Sequence, residues 1–202
     1  MSTPPEPRFP GFDVMSQQRH WDDVTRELII ERIAGPREHR FFSDHEFETA
    51  AALLACLLDL DEPTARHLAI TIDGRMAADR TDGWRYDTMP RDEETWRRSL
   101  AGLDADAGGD FFAASAERRH ELVAGVQHST DSWHGLAAGR LFDLWLRYAC
   151  TAYYAQPSAW NEIGFAGPAY PRGFKNLGVD SREPFEVKDS HPSDDPSRGQ
   201  DT

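Results

Sequence analysis

The sequence predicts an all-α protein: an irregular bundle of five or six helices, closed by an ordered C-terminal strap rich in Gly, Pro and aromatic residues, with disordered tails. Three observations carry that prediction. Apolar residues recur at helical spacing, as in Ala65, Leu68, Ala69, Ile72 and Met76. Helix starts are marked by capping residues, most clearly Ser43 with Glu46 three positions on. The longest periodic stretch, about His134 to Ala155, is apolar on two stripes, as expected of a helix at the centre of a bundle.

In chain order, residues 1–20 hold four prolines and little periodicity, and read as a flexible N-terminal arm in which Phe9 and Phe12 are available to dock. Residues 22–34 are ambiguous. Val24, Leu28 and Ile33 fit a helical stripe behind an Asp22 cap, whereas Ile29-Ile30 equally suits a short strand; Gly35-Pro36 ends either. The next helix opens at Phe41-Phe42-Ser43 and is apolar on most sides from Phe47 to Leu58, with Phe42 and Phe47 placed to form a hydrophobic staple. Asp61-Glu62-Pro63 starts another helix with proline at its first helical position. Residues 79–90 read as a polar loop carrying Trp84 and Tyr86. A further helix follows, with Asp92, Glu93 and Glu94 in its first turn, Trp96, Leu100 and Leu103 as its stripe, and Gly108-Gly109 as its stop. Ser115 is the expected cap of a short helix bearing Leu122, Val123 and Val126. In the long helix, Leu141, Trp145, Tyr148 and Ala152 form one stripe and Phe142, Leu146, Ala149 and Tyr153 the other; Asp143 and Arg147 are ordered for an i,i+4 pair between them.

From Tyr153 to Gly178 no period of 2 or 3.6 is evident. Four glycines and three prolines forbid a long regular element, yet Tyr153, Tyr154, Trp160, Phe165, Tyr170 and Phe174 are too many rings for a solvated linker. The segment is therefore an ordered strap, over 156–178, closing a single domain of residues 21–178. Residues 179–202 are rich in Asp, Glu, Ser and Pro and read as a disordered acidic tail.

Composition excludes several functions. The net charge of −13 disfavours duplex nucleic acid and anionic membranes as partners. The longest uncharged apolar run, Ala50 to Leu58, is too short to insert in a membrane. No signal peptide or twin-Arg signal opens the sequence as given, so a cytoplasmic location is expected. Cys56 and Cys150, each within an apolar helix, read as two buried free thiols, with a disulfide between them as the alternative. No nucleophile elbow, phosphate loop or dinucleotide fingerprint occurs, so no catalytic residue and no cofactor is assigned to the chain. His128, Asp131 and His134 lie close enough in sequence to supply metal ligands, although a helix start collects such residues without binding anything.

The strap is the strongest functional feature. Interfaces enrich aromatics and Arg, and Tyr153, Trp160, Phe165, Gly167, Pro168, Tyr170, Arg172 and Phe174 are the expected partner-interface residues. Phe41-Phe42-Ser43-x-x-Glu46, Ile72-Asp73, Leu100 to Ala107, Phe111-Phe112-x-x-Ser115, Ile163-Gly-Phe-Ala-Gly-Pro168 and Pro171-Arg-Gly-Phe174 occur in an order and spacing that resembles the gluconate 2-dehydrogenase subunit 3 family over roughly residues 40–178. The resemblance implies a small, non-catalytic accessory or chaperone subunit of a flavin-dependent sugar or alcohol dehydrogenase. FAD would sit on a large partner of the glucose-methanol-choline (GMC) oxidoreductase type, and a cytochrome or another acceptor would take the electrons. Two rival functions remain from the residues alone: an independent metal-dependent enzyme using His128, Asp131 and His134, and an interaction protein that self-associates through the strap.

Overall fold

The computed structural model describes residues 8–36, 38–81, 83–176, 178 and 181–191. Among these, seven α-helices, one 3-10 helix and a two-stranded hairpin make up the regular structure. The chain divides into two compact units, residues 35–153 and the combined residues 1–34 and 154–202.

The first unit holds the helices whose signals are local. α2 (Asp44–Leu58) begins with a complete capping box: the Ser43 side chain accepts from Glu46 N–H and Glu46 reaches back to Ser43 N–H. Phe42 and Phe47 are both buried in one core. α3 (Glu62–Ala77) is capped by Asp61, with Pro63 in its first turn, and buries Ala65, Leu68, Ala69, Ile72 and Met76 as the spacing predicts. α4 (Asp92–Ala107) buries Trp96, Leu100 and Leu103 and ends at Gly108 in the left-handed conformation. α5 (Ala116–His128) starts behind Ser115, which accepts from Arg118 N–H. α2 packs on α3, α4 and α5, and α4 on α5.

The long helix starts later than the sequence suggests. A hairpin of β1 (Ser132–Trp133) and β2 (Leu136–Ala137) precedes α6 (Ala138–Tyr154). His134 and Gly135 form its turn at φ 47° and 75°, the positive pair that a two-residue hairpin of this hand requires. His134 therefore turns the chain instead of opening a helix. Of the two stripes of α6, Leu141, Trp145, Tyr148 and Ala152 are buried, but in the second Leu146 is exposed. Two hydrogen bonds cross this core: Trp145 Nε1–H donates to Ser99 Oγ (3.1 Å) and the Tyr148 hydroxyl to Asp92 Oδ2 (2.6 Å).

Asp73 is buried on α3. Its carboxylate accepts from three successive backbone N–H groups, those of Arg40, Phe41 and Phe42, at 2.7, 2.9 and 2.7 Å. It thereby fixes the chain entering α2, from the neighbouring helix. Cys56 and Cys150 are both free and both half-buried; burial raises the Cys56 thiol above its ordinary value.

The second unit joins the two chain ends. It holds a 3-10 helix (Val14–His20), α1 (Asp23–Ala34) and α7 (Pro157–Ile163). Residues 22–34, ambiguous in sequence, are helical, and Asp22 caps them through Thr25 N–H (2.9 Å). The expected apolar stripe is not the buried one: Val24, Leu28 and Ile33 are exposed, and Ile29 is the residue that enters the core.

Candidate partner interface

The two chain ends are locked by contacts from residues far apart in sequence. Val14, Trp21, Ile29 and Trp160 form a small core of their own. The Asn161 side chain accepts from Val14 N–H (2.8 Å), and Trp160 Nε1–H donates to the Tyr154 carbonyl (2.7 Å). Two strap glycines are required at close approach. A Cβ on Gly167 would lie 2.7 Å from the Trp21 ring, and one on Gly164 would lie 2.5 Å from the Phe9 ring; both have positive φ. The residues 8–20 of the N-terminal arm are thus structured, and the strap lies on them. The N-terminal remainder of the arm, residues 1–7, lies outside the described residues.

The tail differs in part from its composition. Among residues 181–191, Glu183 is buried and Asp189 accepts from Arg8 in a charged pair (Nη2–Oδ2 2.7 Å), while Ser190 N–H donates to the Arg8 carbonyl. Low apolar content did not keep this stretch from ordering, because its charges and backbone find partners at the other chain end. Residues 179, 180 and 192–202 lie outside the described residues.

The predicted interface residues do not share one fate. Phe165, Tyr170 and Phe174 are exposed to 42%, 65% and 51%. Trp160 is only 5% exposed; its ring belongs to the small core and meets Phe165 edge-on at 5.4 Å between centroids. Gly167 is buried beneath Trp21, Pro168 is half-buried, and Arg172 is half-buried on the Phe185 ring. Tyr153 belongs to the first unit, half-buried against its main core. Sequence reasoning missed Tyr154, Ile163, Val24 and Leu28 as exposed apolar side chains. The available signal was in α1, whose apolar residues lie on several sides of the helix, more than one buried face can use.

The alternative site does not assemble. His128 Nδ1 is bonded to the Ala124 carbonyl (2.8 Å), while His134 Nε2 meets Asp106 Oδ1 (2.9 Å), beside Trp133 Nε1–H donating to Asp106 Oδ2. Among the described residues no group of three His, Cys, Asp or Glu side chains is placed to hold a metal. No helix among them is long and apolar enough to cross a membrane.

The family model of gluconate 2-dehydrogenase subunit 3 matches residues 44–167. The chain belongs to the gluconate 2-dehydrogenase subunit 3 family. No curated protein and no solved structure matches it. The subunit 3 match opens at the first residue of α2 and closes at Gly167, the glycine beneath Trp21. It therefore takes in α2 to α7, whereas the 3-10 helix, α1, Tyr170, Arg172 and Phe174 fall outside it.

Proposed function

We propose that this chain is the non-catalytic small subunit of a flavin-dependent sugar or alcohol dehydrogenase, and that it binds and stabilises a large GMC-type flavoprotein carrying the FAD. Membership of the family supports a dehydrogenase complex as the setting. The observation that supports the docking surface is the distribution of exposed apolar groups. Of twelve exposed large hydrophobic side chains among the described residues, nine lie in the unit made from the chain ends, Phe165, Tyr170 and Phe174 among them. Scattered single exposures are ordinary, but such a concentration in the smaller unit is what a partner-binding surface leaves uncovered in the isolated chain. The interface residues of this reading are accordingly Phe165, Tyr170 and Phe174, with Trp160 and Gly167 holding the strap in place beneath them.

The test is affinity purification of the tagged chain from its host, with the absorbance spectrum and the co-eluting protein recorded. The parent chain brings down a large flavoprotein. Combined Phe165→Ala, Tyr170→Ala and Phe174→Ala substitutions weaken the complex by at least about 2 kcal/mol, roughly thirtyfold. Trp84→Ala, an exposed ring in the other unit, leaves it intact. A parent chain that elutes without flavoprotein, alone or as its own oligomer, refutes the subunit reading. Retention of the flavoprotein by the triple variant refutes the surface.

A further inference from the structure

Arg172 is held in an unusual way. Its guanidinium lies over the Phe185 ring, 3.7 Å from the centroid, and Nη1 donates to Gln17 Oε1 (3.0 Å). The other two nitrogens, Nε and Nη2, are closed off from solvent and donate to nothing among the described residues. Burial lowers the Arg172 pKa, as expected where no counter-ion offsets the lost hydration. Nε and Nη2 share one edge of the planar group, the edge whose two parallel N–H bonds match the spacing of a carboxylate.

Arg172 lines a surface pocket together with Arg19, Lys175 and Glu183. Glu183 is the acidic side chain of that lining, and it is already engaged: it accepts from the backbone N–H groups of Lys175 and Asn176. The lining thus carries an excess of positive side chains, and one of them, Arg172, holds a bidentate donor edge that is closed from solvent and lacks an acceptor among the described residues.

We propose that this pocket is a carboxylate-binding site, in which an incoming carboxylate takes Arg172 Nε–H and Nη2–H side-on while Arg19 and Lys175 supply the surrounding positive field. The guanidinium meets the ligand by turning off the Phe185 ring into the pocket, exchanging a stacking contact for two charge-assisted hydrogen bonds. The proposal concerns this chain alone and stands whether or not the subunit reading holds.

The experiment follows the Arg172 Nε–H resonance of the full-length chain by ¹H–¹⁵N NMR during titration with sodium acetate, with sodium chloride at equal ionic strength as reference. A second arm uses the peptide acetyl-Gly-Glu-Gly-amide, and a third uses sodium phosphate. A saturable downfield shift with acetate, absent with chloride, is the expected result. Arg172→Lys keeps the charge but lacks the fork, and its thermal stabilisation by acetate falls roughly tenfold. A response to acetate alone assigns the site to small free acids; a response to the peptide as well assigns it to carboxylates carried on a chain. No saturable acetate shift in the parent overturns the proposal, and this readout needs no variant to fold. An equal shift with chloride, a stronger one with phosphate than with acetate, or undiminished acetate stabilisation in Arg172→Lys overturns it too.

Discussion

Replacing Asp73 separates a residue that organises the first unit from one that merely fills space. The carboxylate receives three N–H bonds at 2.7–2.9 Å, two on Oδ1 and one on Oδ2. In Asp73→Ala all three donors lose their acceptor. Phe42 N–H is buried and has no water to turn to, which costs about 1–3 kcal/mol; Arg40 and Phe41 lie nearer the surface and lose roughly 1 kcal/mol each on exchange for water. The total is about 4 kcal/mol, a large share of a typical domain's stability. Asp73→Asn is milder. Its amide oxygen keeps the two bonds that Oδ1 makes, and its NH₂ group faces the Arg40 N–H donor to donor, a loss of about 1–2 kcal/mol. Urea unfolding followed by far-UV circular dichroism reads both. At a slope of about 2 kcal/mol per molar, the alanine variant unfolds roughly 2 M earlier than the parent, with the asparagine variant between them. If both variants unfold at the parent's midpoint, or asparagine costs as much as alanine, the carboxylate does not act through these three bonds.

Gly167→Ala adds a methyl group against Trp21 at a position of φ 78°, and is expected to destabilise the unit of the chain ends by about 2–3 kcal/mol; increased amide hydrogen exchange at Val14 and Trp160, with the first unit unchanged, is the readout. Hydrogen bonds from the Thr64 side chain and backbone hold the Asp61 carboxyl below its ordinary pKa. Its native pKa lies below the unfolded one, so this contribution is complete above the unfolded carboxyl range and is lost as pH falls through the folded pKa. Asp61→Asn keeps a capping oxygen without the titration, and its stability relative to the parent, followed by thermal melts from neutral to acid pH, rises as the solution is acidified; a constant difference across that range would contradict the assignment. Burial raises the Cys56 thiol pKa, so Cys56 reacts with iodoacetamide more slowly at neutral pH than an exposed thiol does; a rate equal to that of free cysteine would contradict it.

What the sequence determined by itself is local. The starts of α2 and α5 were legible because Ser43 and Ser115 each bond a backbone group three residues on, and that of α3 because a proline suits the first turn of a helix; its Asp61 cap came from the structure. The buried faces of α3 and α4 were legible because a single stripe leaves one way to turn the helix. The family was legible in the order of its short motifs, which the match over residues 44–167 bears out.

Tertiary structure decided what depends on partners distant in the chain. Val14 and Asn161 meet across 147 positions, and Asp73 meets the entry to α2 across 31 to 33. Nothing in the composition of the arm marks Val14 as core, since its burial comes from Trp21, Ile29 and Trp160. The same long-range packing turned Trp160 inward while leaving Phe165, Tyr170 and Phe174 outside. A ring's identity states that it will seek an apolar contact; whether its own chain supplies that contact is settled only when distant segments are brought together.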